Sequence, residues 1–156
     1  MRRLTAALAM VIGLTALALA QTPATTNMDI LRQKVKADKK LVVAENLKLT
    51  EGEGAQFWPV YEAYQKDLQQ INERLKAVIL AYADAYNKGA VDDATAKKLI
   101  EDASAVDDAE ATLRRTALPK ILGVLPAAKA ARYVQIENKI RAVIRYELAA
   151  GIPLVQ

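Results

Sequence analysis

The chain contains no cysteine and no histidine among its 156 residues. The usual general base, thiol nucleophile and soft metal ligands are therefore missing, which removes most hydrolytic, thiol and structural-zinc chemistry. No glycine-rich phosphate loop of a known spacing is present either. The acidic residues Asp93, Glu101, Asp102, Asp107, Asp108 and Glu110 read as a solvated helix face, not as paired catalytic acids or a cation site. The chain is expected to be non-enzymatic, with no catalytic residue, no cofactor and no metal. Without disulfides the fold must be stable on packing alone, within reach of ~135 residues of well-packed helix. Aromatic residues are also scarce, at 5% against an apolar fraction of 53%. The core must be built from Ala, Leu, Ile and Val with tyrosine as the main bulky group, a mixture suited to closely packed helices.

Long apolar runs are absent except at the start. Arg2 and Arg3 precede an apolar run over positions 4–17, and Ala18-Leu19-Ala20 supplies the small-x-small pattern of a cleavage site. Residues 1–20 are expected to be a signal peptide cleaved after Ala20, and the protein to be periplasmic or secreted. A transmembrane anchor is the weaker reading, because the run is short and nothing basic follows it. Without a cysteine at the cleavage point a lipoprotein is excluded. Removing the two arginines leaves 20 basic against 18 acidic side chains. So small an excess does not suit nucleic-acid binding.

What is present is a long periodic stretch. Phe57, Tyr61, Tyr64, Leu68, Ile71, Leu75, Val78, Tyr82 and Ala85 follow one another at alternating steps of four and three, an unbroken seam of period 3.5. Thr50 reads as the N-cap, Glu53 completes a capping box, and Gly89 is the stop. Pro59 should bend this helix near residues 55–58, and Gly52 and Gly54 imply a soft entrance or a place where another backbone comes close.

After a Pro/Thr linker at 21–27, a helical domain over 28–156 is expected. Its first helix starts at Met28 or Asp29 and runs to Leu47. Met28, Leu31, Val35 and Val42 form its stripe, with Leu41 alongside and Asp38 and Glu45 interrupting. Asp92 caps a third helix reaching about Leu118, where Pro119 ends or kinks it. This helix buries Ala96, Leu99, Ala103, Val106, Leu113 and Ala117, with Ile100 flanking. A fourth runs from Pro126 to Ala150 on Tyr133, Ile136, Ile140, Val143, Ile144 and Leu148, with Gly151 as a left-handed stop. The apolar ending Ile152-Pro153-Leu154-Val155 should dock back onto the helices.

The fourth helix is basic and the third acidic. Arginine beside tyrosine, in Arg132-Tyr133 and Arg145-Tyr146, offers charge, stacking and apolar area together. Two readings stand side by side: a surface for another polypeptide, or internal pairing of helix four with helix three. The candidate partner-binding residues are Lys34, Lys39, Trp58, Arg132, Arg141 and Arg145. Trp58, one step off the seam, either covers the first helix or faces a partner, and packing is favoured.

A signal peptide, four helices and Leu49-Thr50-Glu51-Gly52-Glu53 ahead of the long helix resemble the Spy/CpxP group of periplasmic proteins. Their Leu-Thr-x-x-Gln motif is matched here with Glu53 in place of glutamine. Leu125-Pro126-Ala127-Ala128-Lys129 resembles a degenerate second copy. The resemblance implies an all-α, long bent helical hairpin that dimerises into a cradle and acts as an ATP-independent chaperone or envelope-stress protein. Its partners would be unfolded or partner polypeptides, with a homodimer expected and a membrane surface less favoured. The metal role of some members is not carried over, since the chain lacks histidine and cysteine. The alternative is a structural or regulatory adaptor of the cell envelope without general client binding.

Overall fold

The computed structural model describes residues 38–155. Among these, four α-helices and no strand are present: α1 (Lys39–Leu47), α2 (Glu51–Asn87), α3 (Asp93–Leu122) and α4 (Ala127–Gly151). The long helices α2 and α3 form an antiparallel hairpin, and α4 packs along both. The expected signal peptide, the linker and the first ten residues of the expected first helix lie outside the described residues.

Local chemistry sets most of the boundaries. Thr50 and Glu53 form the reciprocal capping box, with the Thr50 N–H donating to Glu53 Oε2 at 2.8 Å. Asp92 caps α3 by accepting from the Thr95 N–H at 2.9 Å. Gly89 takes φ +107° just beyond α2, a backbone region open to glycine at little cost.

Several boundaries differ from expectation. Asp38, read as an interruption inside the first helix, is instead the extended N-cap of α1 and accepts from the Leu41 N–H at 3.0 Å. The first helix is therefore not continuous through position 38. Pro119 does not end α3, which continues to Leu122, because the extra turn buries Ile121. Pro59, by contrast, lies inside α2 as expected. It is exposed, as is Ala55, so the carbonyl it leaves unpaired can be hydrated. Gly151 is the last residue of α4 and not a left-handed stop; the helix ends where Ile152 becomes extended ahead of Pro153. The neighbour at Gly54 is not backbone, since an added Cβ would meet the Trp58 indole nitrogen at 3.3 Å.

Five of the eight aromatic side chains gather at one level of the bundle. Phe57 and Tyr133 meet edge to face with centroids 5.1 Å apart, and Tyr61 stands 6.2 Å from Tyr133. Trp58 packs edge-on against both Phe57 and Tyr61. These rings fill the space between α2 and α4, whose Cα atoms nowhere approach within 8 Å. Val42, Val43 and Leu47 of α1 close the cluster, as do Ala117 and Ile121 of α3.

The seam of α2 is graded along its length. Phe57, Tyr61 and Tyr64 are fully buried, whereas the positions from Leu68 to Ala85 are half-buried. Among the described residues α1 covers α2 only as far as Gln65, which accepts from Lys39 Nζ at 2.9 Å. Among the described residues, α2 past that level has two helical neighbours instead of three. In α1, Val42 is buried as its place on the stripe predicts and Val43, not singled out, is buried too, whereas Leu41, expected alongside the stripe, is 54% exposed. Leu99 and Leu113 are half-buried, while Ile100 and Ile144 face outward. The apolar ending docks only in part: Ile152 is half-buried and Tyr82 Oη donates to the Pro153 carbonyl at 2.9 Å, but the Leu154 side chain stays 88% exposed.

This gradient predicts unequal mutational costs. Phe57→Ala should destabilise the fold by about 3–5 kcal/mol, and Val78→Ala, half-buried, by about 1 kcal/mol, measured by denaturant unfolding. Burial raises the phenols of Tyr61, Tyr64 and Tyr133 well above their usual 10.0, with the Glu137 carboxylate adding to it. Above about pH 10 the unfolded chain releases these protons while the folded chain keeps them. Their contribution is thus complete below that pH and declines as pH rises. The denaturation midpoint should fall there, and phenolate absorbance should show three of the six tyrosines titrating only with unfolding. Six tyrosines ionising together in the folded protein would contradict this packing.

Candidate functional site

The six proposed binding residues have different surroundings, and most are engaged inside the bundle. Lys34 lies outside the described residues. Lys39 Nζ pairs with Glu137 Oε2 at 2.8 Å, and the Glu137 side chain is only 12% exposed. Gln65 Nε2 donates to the other Glu137 oxygen at 3.2 Å. One carboxylate thus ties α1, α2 and α4 together beside the aromatic cluster.

Arg145 bonds Asp107 and also Glu110, the latter at 2.9 Å. Arg141 adds a longer contact to Glu110 at 3.8 Å. For these two arginines the structure shows the internal pairing of helix four with helix three. The two acidic partners raise the guanidinium pKa of Arg145, the Asp107 hydrogen bond most and Glu110 next. Trp58 is half-buried in the core, and Lys40 Nζ lies 5.1 Å from its ring centroid. Its packing role is therefore visible in the fold.

Arg132 differs from the rest. It is exposed on α4 beside Lys139, and no carboxylate among the described residues stands within ion-pair distance of either. Both line a shallow groove of about 480 Å³ between α1 and α4, with Ile136 and Val42 beneath. The structure thus brings Lys39, Trp58, Arg141 and Arg145 into the body of the bundle and leaves Arg132 on a mixed basic and apolar surface.

The two motif-like turns meet in space. Lys129 Nζ pairs with Glu53 Oε2 and donates to the Lys48 carbonyl at 3.3 Å. Glu53 and Lys129 are the fifth residues of the two five-residue stretches, so the departures from the motif form a complementary pair. The Lys129 hydrogen bond, followed by that of the Thr50 backbone, holds the Glu53 carboxyl below its ordinary range.

A further surface was not singled out from the sequence. Leu80 lies seven residues before the end of α2, and Ile100 seven residues after the start of α3, so they stand at one level of the hairpin. They are 59% and 66% exposed. The Tyr82–Pro153 hydrogen bond brings exposed Leu154 and Val155 to the same end. The available signal was Leu80 itself, an apolar residue between seam positions Val78 and Tyr82, pointing away from the seam.

Among the described residues no group of three or more acidic side chains is placed to hold a metal ion, and no helix is long and apolar enough to cross a membrane.

The ion-pair arrangement carries its own test. Lys39→Ala leaves the largely covered Glu137 carboxylate without its cation and should cost about 1–3 kcal/mol in denaturant unfolding. Arg132→Ala should stay within about 0.5 kcal/mol of the parent. Equal effects would show that Lys39 has no greater structural role than a surface cation.

No protein-family model, no curated protein and no solved structure matches this chain.

Proposed function

We propose that the protein is an exported, non-enzymatic helical protein that binds non-native polypeptides, acting as an ATP-independent chaperone or envelope-stress protein. The observation that carries this reading is the uncovered apolar end of the hairpin, where Leu80, Ile100, Leu154 and Val155 are all more than half exposed. Large apolar side chains left in water on more than one face of one end of a folded domain suit transient burial by a partner. Such a surface has no enclosed shape, so it can hold different apolar segments weakly instead of selecting one. Arg132 and Lys139 add unpaired positive charge along α4, matching the mixed basic and apolar chemistry expected from the sequence. The resemblance of Leu49-Thr50-Glu51-Gly52-Glu53 to the Spy/CpxP motif supports the same reading, as does the signal-peptide pattern at 1–20.

The second reading is a structural or regulatory adaptor of the envelope. Its support is the internal use of Lys39, Arg141 and Arg145, which leaves less free charge for general client capture.

Aggregation of a reduced, chemically unfolded client separates the two. The parent protein should suppress light scattering at a several-fold molar excess, and Leu80→Ser with Ile100→Ser should weaken that suppression while the far-ultraviolet circular dichroism is unchanged. No suppression by the parent favours the adaptor. A homodimer is expected from the resemblance, and sedimentation velocity of parent and double variant tests it. A parent dimer that the double variant converts to monomer would assign the apolar end to self-association instead of client binding.

A further inference from the structure

Arg114 and Tyr133 share a cavity whose chemistry the proposed polypeptide binding does not use. The cavity, about 250 Å³, lies between α3 and α4 with Tyr64 at its α2 side. Ala117, Leu118, Ile121 and Val134 supply apolar lining. Tyr133 also lines it and is 2% exposed; its hydroxyl makes no well-formed hydrogen bond among the described residues, although the Glu137 carboxylate is near enough to help raise its pKa. Arg114 Nε is buried and unpartnered as well. No carboxylate among the described residues lies within ion-pair distance of Arg114, although Glu110 stands one turn before it. Glu110 is engaged by Arg141 and Arg145.

Buried polar atoms are nearly always satisfied, so two unpaired donors lining one cavity need an explanation. Arg114 is half-buried, so its terminal nitrogens keep some contact with water while Nε, facing the cavity, does not. Glu137 also lines the cavity, but its two oxygens accept from Lys39 and Gln65, and the Lys39 ammonium offsets its charge. The side chains facing this space therefore present donors and an uncompensated positive charge at one part, and hydrocarbon at another.

We propose that this cavity binds a small carboxylate bearing a short apolar tail. The carboxylate would accept from Arg114 and from the Tyr133 hydroxyl, while the tail lies along Leu118, Ile121 and Val134. The volume falls below the range typical of drug-sized ligands, which confines the ligand to a compact molecule. The same chemistry occurs in a free short-chain acid and in the carboxy-terminal residue of a peptide ending in leucine.

The test uses the described domain within the full mature chain, with hexanoate as probe and hexanamide as the uncharged control. Nuclear magnetic resonance titration should move backbone amide signals over residues 111–121 and 133–138 with hexanoate. Hexanamide should bind at least about tenfold more weakly, the loss expected for a charge-assisted contact. Arg114→Gln should weaken hexanoate about tenfold and Tyr133→Phe about threefold. A leucine-terminated peptide with a free carboxylate, compared with its amide, shows whether the site also takes chain ends. Shifts for the short acid but not the peptide assign the site to free acids; shifts for both assign it to the shared carboxylate. The comparison of hexanoate with hexanamide needs no variant, so it decides even if a substitution unfolds the protein. Absence of hexanoate shifts in these two segments, or equal affinity for acid and amide, overturns the proposal. The aggregation assay is a separate readout, so either proposal can fail without the other.

Discussion

The edge-to-face contact between Phe57 and Tyr133 is the constraint from which the rest of the bundle follows. Rings of this size hold two helices apart while still filling the space between them, and geometry of this kind adds about 0.5–1.5 kcal/mol beyond simple area burial. With α2 and α4 kept apart, small and aliphatic side chains from α1 and α3 can enter from either side. The result is a core concentrated at one level instead of spread evenly along the helices. A chain with few aromatic residues has placed most of them where they define the spacing of its longest elements.

Electrostatics follows the same layout. Glu137 is one turn beyond Tyr133 on α4, so it meets Lys39 and Gln65 where α1 and α2 converge. Further along α4, Arg141 and Arg145 reach the acidic middle of α3. These are contacts between helices that pair favourably only in one register. The more exposed pairs made by Arg141 and Arg145 add less to stability than the better-buried Lys39–Glu137 pair, because exposed pairs are weak in water. Glu53 and Lys129 do the same work at the turns, joining the start of α2 to the first turn of α4.

The distal part of the hairpin is built differently. There α2 has fewer neighbours, its seam is half-buried, and large apolar side chains remain in water. Fewer buried contacts mean a lower local free energy of opening, a property that suits surfaces meant to change partners. A dense core at one end and a thinly covered hairpin at the other separates the part that maintains the fold from the part whose large apolar side chains face water.

Helix identity, the N-caps at Thr50 and Asp92 and the long seam were legible because they depend on residues close together in sequence. Thr50 with Glu53, Asp92 with Thr95, and the alternating steps from Phe57 to Ala85 need no knowledge of distant neighbours. The effect of Pro119, the capping role of Asp38 and the exposure of Leu154 were not legible in this way. Each depends on whether burial elsewhere outweighs a local preference: Ile121 extends α3 past a proline, and no partner surface among the described residues covers Leu154. The binding candidates divide along the same line. Their residue types could be read from the chain, but whether an arginine faces solvent or a glutamate thirty-odd positions away is decided only when helices are packed. By itself the sequence determined an all-α chain with one dominant amphipathic rod. The tertiary structure decided which parts of that rod are sealed, which cations are paired and which apolar side chains remain in water, because those outcomes depend on the distances between helices.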